Sequence, residues 1–383
     1  MNVPSTLIDR VRGTLAVTGE EPTPARVAAA LRADGSVYGD SIVLAVVAAL
    51  RREALGAGPL DTLLSEPGIT DILVNGPDEV YVDRGNGLER VPIRTGDESA
   101  IRRLATRLAA AAGRRLDDAT PYVDVRLSDG TRFHAVLSPV AAPGTCLSLR
   151  IPSRKVFTLD DLVAAGALPP AGTTILRDLL DARRAFLISG GTGTGKTTLL
   201  NSLLSLVDPR ERLVLVEDAG ELRPDHPHVV CLEARPANVE GAGEISLRDL
   251  VRQALRMRPD RLVVGEVRGP EVVDLLNAMN TGHEGGCGTV HANSASDVPA
   301  RLEALGALAG LTREALHSQV ASALHAVIHL TRTPTGTRRI AEIQVLDRLP
   351  TGQVITCPAH TFHPNGSIHH HPQAHRLTTP TAA

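Results

Sequence analysis

The sequence predicts an α/β fold: a mainly parallel sheet covered by helices, preceded by a smaller α+β domain. Two observations carry this expectation. From residue 185 onward, apolar strand-like runs alternate with helix-compatible segments at 185–189, 197–206, 213–217, 229–232, 247–257, 261–265, 270–280, 286–290 and 297–306. Such alternation calls for parallel strands buried between helices. Before it, residues 56–152 hold short strands punctuated by turn residues around one longer helical segment, which is α+β texture. At 383 residues, two domains plus appendages is the natural division.

Taken in order, residues 1–55 read as a small helical extension. Ile42, Val43, Val46, Val47 and Leu50 recur at helical spacing behind a candidate N-cap at Asp40-Ser41. In 56–152, a short helix at 59–64 is stopped by Pro67-Gly68. Strands at 69–74 and 79–83 flank the turn Asn75-Gly76-Pro77-Asp78, and a third at 88–93 follows Asn86-Gly87. A helix at 100–112 precedes strands at 123–127 and 132–137, which flank Ser128-Asp129-Gly130, and a last strand at 146–151. Residues 153–170 read as linker and lead-in helix, and 171–350 as the parallel-sheet domain. The His-, Pro- and Thr-rich stretch 351–383 is expected to be disordered, its six histidines incidental.

Composition excludes several classes. A net charge of −3 gives no basic field for nucleic acid, and 2% aromatics with no Trp leave no stacking platform for single strands. Cys146, Cys231, Cys287 and Cys357 form no C-x-x-C pair, so zinc-ribbon and thioredoxin-like chemistry are not indicated. No apolar leader and no run of about 18 apolar residues is present. The expectation is a soluble, cytoplasmic protein.

The chemistry centres on Ser189-Gly190-Gly191-Thr192-Gly193-Thr194-Gly195-Lys196-Thr197-Thr198, between an apolar run and a helical segment. Gly190, Gly195, Lys196 and Thr197 fit G-x-x-x-x-G-K-[ST], the P-loop. Its glycines let backbone N–H groups converge on phosphate oxygens, and the helix N-terminus adds its own. Lys196 brings a charge to the β/γ-phosphates, and the Thr197 hydroxyl can ligate Mg²⁺. Three further clusters follow. Glu217, Asp218 and Glu221 close the apolar strand 213–217, where a carboxylate can orient or deprotonate water. Glu266 tips the strand 261–265, as a Walker B acid reaching Mg²⁺ through water, with Arg268 two residues on. His283 and His291 bracket the Gly-rich strand 286–290, where an imidazole can report the γ-phosphate.

In this order the motifs resemble the Walker A, Asp box, Walker B and His box of type II and type IV secretion ATPases, the superfamily of GspE and PulE. The likeness is closest to the Tad/CpaF branch, whose conjugal transfer-associated members are similar to VirB11. It is carried also by Ala254-Leu255-Arg256-Met257-Arg258-Pro259-Asp260, Ala278-Met279-Asn280-Thr281-Gly282-His283, Ile72-Leu73-Val74-Asn75-Gly76-Pro77 and Gly113-Arg114-Arg115. The resemblance covers about residues 55–350. It implies a homohexamer of chains with a RecA-like P-loop NTPase C-terminal domain and a smaller N-terminal domain, with ATP and Mg²⁺ bound between them. Residues 190–198, Asp218, Arg268 and His283 would bind nucleotide. Glu217, then Glu221, would position water, and Glu266 and His291 would act beside them. N-domain arginines would reach the γ-phosphate; here these are Arg132 and Arg150, with Arg126 a third candidate. The implied partner is an inner-membrane platform protein, met peripherally at the cytoplasmic face, without direct nucleic-acid binding. Two departures stand out: the four-cysteine metal insert and the retraction signature Ala-Ile-Arg-Ala are missing. A nucleic-acid motor and a non-catalytic nucleotide-gated scaffold are the alternatives.

Overall fold

The computed structural model describes residues 11, 14, 24–32, 38–39, 42–44, 46–47, 56–85, 87–142, 144–152, 156–235, 237, 242–333 and 335–378. The chain divides into two units, Met1–Ser153 and Arg154–Ala383.

The first unit opens with helical pieces. Val27 and Leu31 of α1 (Pro24–Arg32) bury against Val11, Val43, Val46 and Val47, so the valine stripe is a packing face. Leu50 and the Asp40-Ser41 cap lie outside the described residues, as does most of the linker at 153–155. A 3-10 turn and the short α2 (Asp61–Leu64) lead into β1 (Asp71–Gly76), β2 (Glu79–Asp83) and β3 (Leu88–Val91). Next come α3 (Glu98–Ala111), β4 (Tyr122–Arg126), β5 (Arg132–Val136) and β6 (Cys146–Arg150). The six strands form one antiparallel sheet in the order β3-β2-β1-β6-β5-β4. Asp97 caps α3 by accepting the Ala100 N–H at 2.8 Å. Ile101, Leu104, Ala105, Leu108 and Ala109 make one buried stripe on α3, sharing a core with Ile72, Val80, Phe133, Leu147 and Leu149. Alternation then sets which residues share the opposite face. Register aligns Arg126, Arg132, Arg150 and Asp71 across β4, β5, β6 and β1 in one row of that face.

The second unit begins with α4 (Leu159–Ala164), held by a Thr158/Asp161 capping box, and α5 (Pro170–Asp181). There follow β7 (Phe186–Gly190), α6 (Lys196–Leu204), β8 (Leu213–Glu217), β9 (Val229–Glu233) and α7 (Leu247–Ala254). The chain continues through β10 (Arg261–Val264), α8 (Glu271–Asn280), β11 (Cys287–Val290), α9 (Val298–Leu308) and α10 (Arg313–Ala323). It closes with β12 (Ala326–Arg332), β13 (Arg338–Arg348), β14 (Val354–Phe362) and β15 (Ile368–His370). The nine strands run β15-β14-β13-β12-β7-β11-β10-β8-β9. From β12 to β9 all neighbours are parallel, while β13, β14 and β15 are antiparallel additions. Helices cover both faces: α4, α5 and α6 pack with Phe186 and Ile188, and α7 to α10 pack with Leu187, Val214 and Val264. The sequence-stated α/β fold is therefore observed.

The expectation of disorder for 351–383 is corrected over 351–378; residues 379–383 lie outside the described residues. Residues 354–362 pair along β13, and Val354, Ala359 and Phe362 are at most 2% exposed. Leu377 is also buried, and its carbonyl accepts from Arg184 Nε at 3.2 Å. Composition pointed to His and Pro; what decides is that the strand packs on both faces, Val354 in the core under one face of the sheet and Ala359 and Phe362 in the core under the other.

Candidate nucleotide-binding site

β7 is buried along its whole length and ends at Gly190. The chain then turns back into α6, with Gly190, Gly193 and Gly195 at φ of 151°, 71° and 94°, which residues bearing a Cβ rarely adopt. Gly190 is needed for space as well, since a Cβ there would lie 2.6 Å from the Leu330 carbonyl oxygen. Thr194 closes the loop internally by donating to the Gly191 carbonyl at 2.9 Å, whereas Gly191 and Thr192 are exposed. Thr197 and Thr198 sit half-buried in the first turn of α6.

Lys196 folds back over this loop. Its ammonium donates to the carbonyls of Gly190 and Gly191 at 3.0 and 2.8 Å. Burial holds its pKa below the usual lysine value, against the pull of the Glu266 carboxylate.

Strand order explains the next neighbours. Because β11 lies between β7 and β10, the residue leaving β11 emerges between those leaving the other two. That residue is His291. Its Nε2 stands 3.4 Å from Lys196 Nζ and 3.3 Å from Glu266 Oε1. Burial, then the Lys196 charge, lower its pKa, with Glu266 opposing, so the imidazole is neutral at pH 7. One Nε2 can accept from Lys196 or donate to Glu266, never both, so the tautomer decides which neighbour it restrains.

The Asp-box acids land elsewhere. β8 is one strand beyond β10, about 14 Å from β7 at ordinary strand spacing. Glu217 at its tip is only 5% exposed and accepts the N–H groups of Glu221 at 3.0 Å and Leu222 at 3.0 and 3.2 Å. Burial pushes its pKa up to about 7. The carboxyl expected to position the attacking water is thus placed so that it braces the turn 217–222. It also underlies Gly265, where a Cβ would meet Glu217 Cγ at 2.7 Å. Glu221 is exposed, and Asp218 pairs with Arg268 at 2.5 Å. His283 stands apart from the loop in its own chain. It precedes β11, at the strand end opposite His291, and its backbone N–H donates to the Ala278 carbonyl at 3.4 Å. It is not brought to the P-loop of its own chain.

In the first unit, Arg132 holds Asp124 in a two-point pair at 3.0 and 2.6 Å, and Arg150 Nε donates to Asp71 at 3.0 Å. Arg126 Nε donates to the Gly130 carbonyl at 3.3 Å. Both Arg132 and Arg150 are exposed.

Sequence reasoning missed three features around the loop. Arg338, opening β13, donates from Nε to the Gly193 carbonyl at 2.9 Å. His329 on β12, only 4% exposed, meets the Ser189 hydroxyl at 2.9 Å directly beneath the loop. A hollow of about 570 Å³ beside the loop is bounded by Gly191, His291, Asn293, Asp297 and Arg301. The first two were findable: Ala326-Val327-Ile328-His329-Leu330 and Arg339-Ile340-Ala341-Glu342-Ile343 flank Thr333-Pro334-Thr335-Gly336, a hairpin signal.

The loop fits a polyphosphate. Glycines line it, α6 offers its free N–H groups, and one buried ammonium sits over it, bound to two loop carbonyls that a phosphate can replace and close to His291.

Comparison with known proteins agrees with this geometry. The family model described as type II/IV secretion system protein matches residues 53–373. A putative conjugal transfer protein of Mycobacterium tuberculosis is 61% identical over 316 residues, covering 81% of this chain and 90% of that one. The type IV secretion system protein PtlH of Bordetella pertussis is 35% identical over 262 residues, covering 62% and 77%. Among solved structures, the pilus retraction motor PilT with bound ADP aligns at a TM-score of 0.55 and 21% identity, over 76% of this chain and 83% of that one. This last is a likeness of fold.

Proposed function

The chain belongs to the type II/IV secretion ATPase family, and from that premise we propose that it hydrolyses ATP to drive a membrane-bound transfer machine. The observation that carries the reading is the line Lys196–His291–Glu266 at the C-terminal ends of three neighbouring strands.

In this reading the loop amides and the N-terminus of α6 bind the phosphate chain. Lys196 exchanges the Gly190 and Gly191 carbonyls for β- and γ-phosphate oxygens. Thr197, and Glu266 through water, would hold Mg²⁺, which supplies charge neutralisation to the phosphates. Glu266 polarises the attacking water. His291, neutral and adjacent to both, changes hydrogen-bond partner as charge develops. Glu217 keeps the Gly265–Glu266 turn in place from below. Arg132 and Arg150, held on a sheet in the first unit, are the proposed source of further positive charge at the γ-phosphate, as planar guanidinium forks suit it.

The finer reading is a Tad/CpaF-type motor: a homohexamer docking peripherally on an inner-membrane platform protein from the cytoplasmic side, for pilus assembly, secretion or conjugation-type transfer. Among the described residues no helix is long and apolar enough to cross a membrane, which suits a peripheral role. The test is ATP turnover by the full chain. Lys196→Ala and Glu266→Gln are each expected to lose about 100-fold or more, the scale of removing a charge-stabilising group. Wild-type rates in both variants would refute the site.

A further inference from the structure

We propose that the β12–β13 hairpin receives the nucleoside half of the substrate, with Arg338 as the flat platform on which the base lies. This rests on the P-loop reading above and extends it to the part of the ligand that the loop does not hold.

The argument starts from direction. Lys196, His291 and Glu266 fix the γ end of the phosphate chain on the β11 and β10 side of β7. The chain of phosphates crosses the loop, so the nucleoside leaves on the other side. There the neighbour of β7 is β12, which carries the hairpin to β13.

That hairpin is built against the loop. The Leu330 carbonyl lies 2.6 Å from where a Gly190 Cβ would be. At Gly195, whose amide precedes the lysine, a Cβ would stand 3.6 Å from Arg338 Cδ and 3.9 Å from Leu330 Cδ2. Arg338 is then fixed by its Nε–H donating to the Gly193 carbonyl at 2.9 Å. Among the described residues its two terminal nitrogens meet no acceptor, and the side chain is exposed. The other hairpin arginines are engaged elsewhere: Arg332 donates to Gly336 at 3.3 Å, and Arg339 to the Phe362 carbonyl.

The chemistry suits a purine. A guanidinium is planar, permanently charged and weakly hydrated, and it stacks on aromatic faces. The hairpin 331–339 contains no aromatic residue, so a stacking surface there is a guanidinium. Pinning by Nε fixes the plane before the ligand arrives, which reduces the ordering cost of binding. Leu330 supplies the apolar edge beside it.

The experiment is calorimetric titration of the full chain with ADP and, separately, with inorganic pyrophosphate, which lacks the nucleoside, each with Mg²⁺. Arg338→Ala is expected to weaken ADP about tenfold, a stacking-scale loss, and to leave pyrophosphate within about twofold of wild type. Arg338→Lys, which keeps the charge but not the plane, is expected to behave like the alanine variant. Equal weakening of both ligands would mean that Arg338 only braces Gly193, and would overturn the proposal. So would unchanged ADP binding, or full recovery with lysine. Lys196→Ala separates the two levels: it should abolish both ligands, and if it binds both as wild type the P-loop reading itself fails.

Discussion

Glu217 is a buried carboxyl whose titration can be read in the stability of the fold. Its pKa is pushed up from 4.5 to about 7 by burial, against the two backbone N–H groups that favour the charged form. The folded chain thus binds a proton there more tightly than the unfolded chain does. Stability from this group is fullest below about pH 4.5 and declines as pH rises to about 7. Glu217→Gln should remove that decline, since its amide oxygen can still accept from Leu222. The melting temperature of the wild type should fall by roughly 5 °C more than that of the variant between pH 5 and pH 8. Parallel curves for the two proteins would show that Glu217 is ionised throughout. The P-loop residues, Glu266 and His291 were legible from sequence because each is defined by its own immediate neighbours. Glu217 was not: β8 follows β7 in the chain but lies three strands away in the sheet.

At the level of elements, the spacing of the site is set by strand pairing. His291 and Glu266 follow β11 and β10, which pair in register at Val263↔Cys287 and Val264↔Gly288. A Cβ on Gly288 would lie 2.6 Å from the Val264 carbonyl oxygen, a backbone atom that cannot rotate away. Gly288→Ala should therefore force the two strands apart, at about 1–3 kcal/mol of overpacking, and lower turnover together with melting temperature. Normal turnover in a destabilised variant would show that the His291–Glu266 distance does not depend on this pairing. Periodicity revealed most of these strands because each is short, apolar and followed by a helix. It did not reveal their order, which depends on crossovers that no local pattern encodes.

For the molecule as a whole, the His-rich C-terminal stretch matters more than its composition implies. β14 covers β13 along 342–348, and Phe362 fills the core beside Gly172 and Leu168. A chain ending at Pro350 would expose the β13 edge and leave a cavity where Phe362 sat, a loss of about 3–5 kcal/mol from that side chain alone. It should aggregate or elute as a misfolded species in size-exclusion chromatography. A monodisperse truncated chain with an unchanged melting temperature would show that this lip is dispensable. The division into a small antiparallel unit and a large parallel one was readable from texture; the antiparallel lip was not, because its few apolar residues bury on both faces of the sheet and leave no regular alternation among the His and Pro.

The arginine row of the first unit has a further consequence. Three guanidinium groups in adjacent strands would repel one another, and Asp124 and Asp71 hold Arg132 and Arg150 in the meantime. Any incoming anion must evict these resident carboxylates. Capture by this face is thus an exchange of one counter-charge for another. On the reading proposed above, in which this face meets the γ-phosphate, the net yield would be small, and a catch that releases as readily as it engages would suit a part that lets go once every cycle.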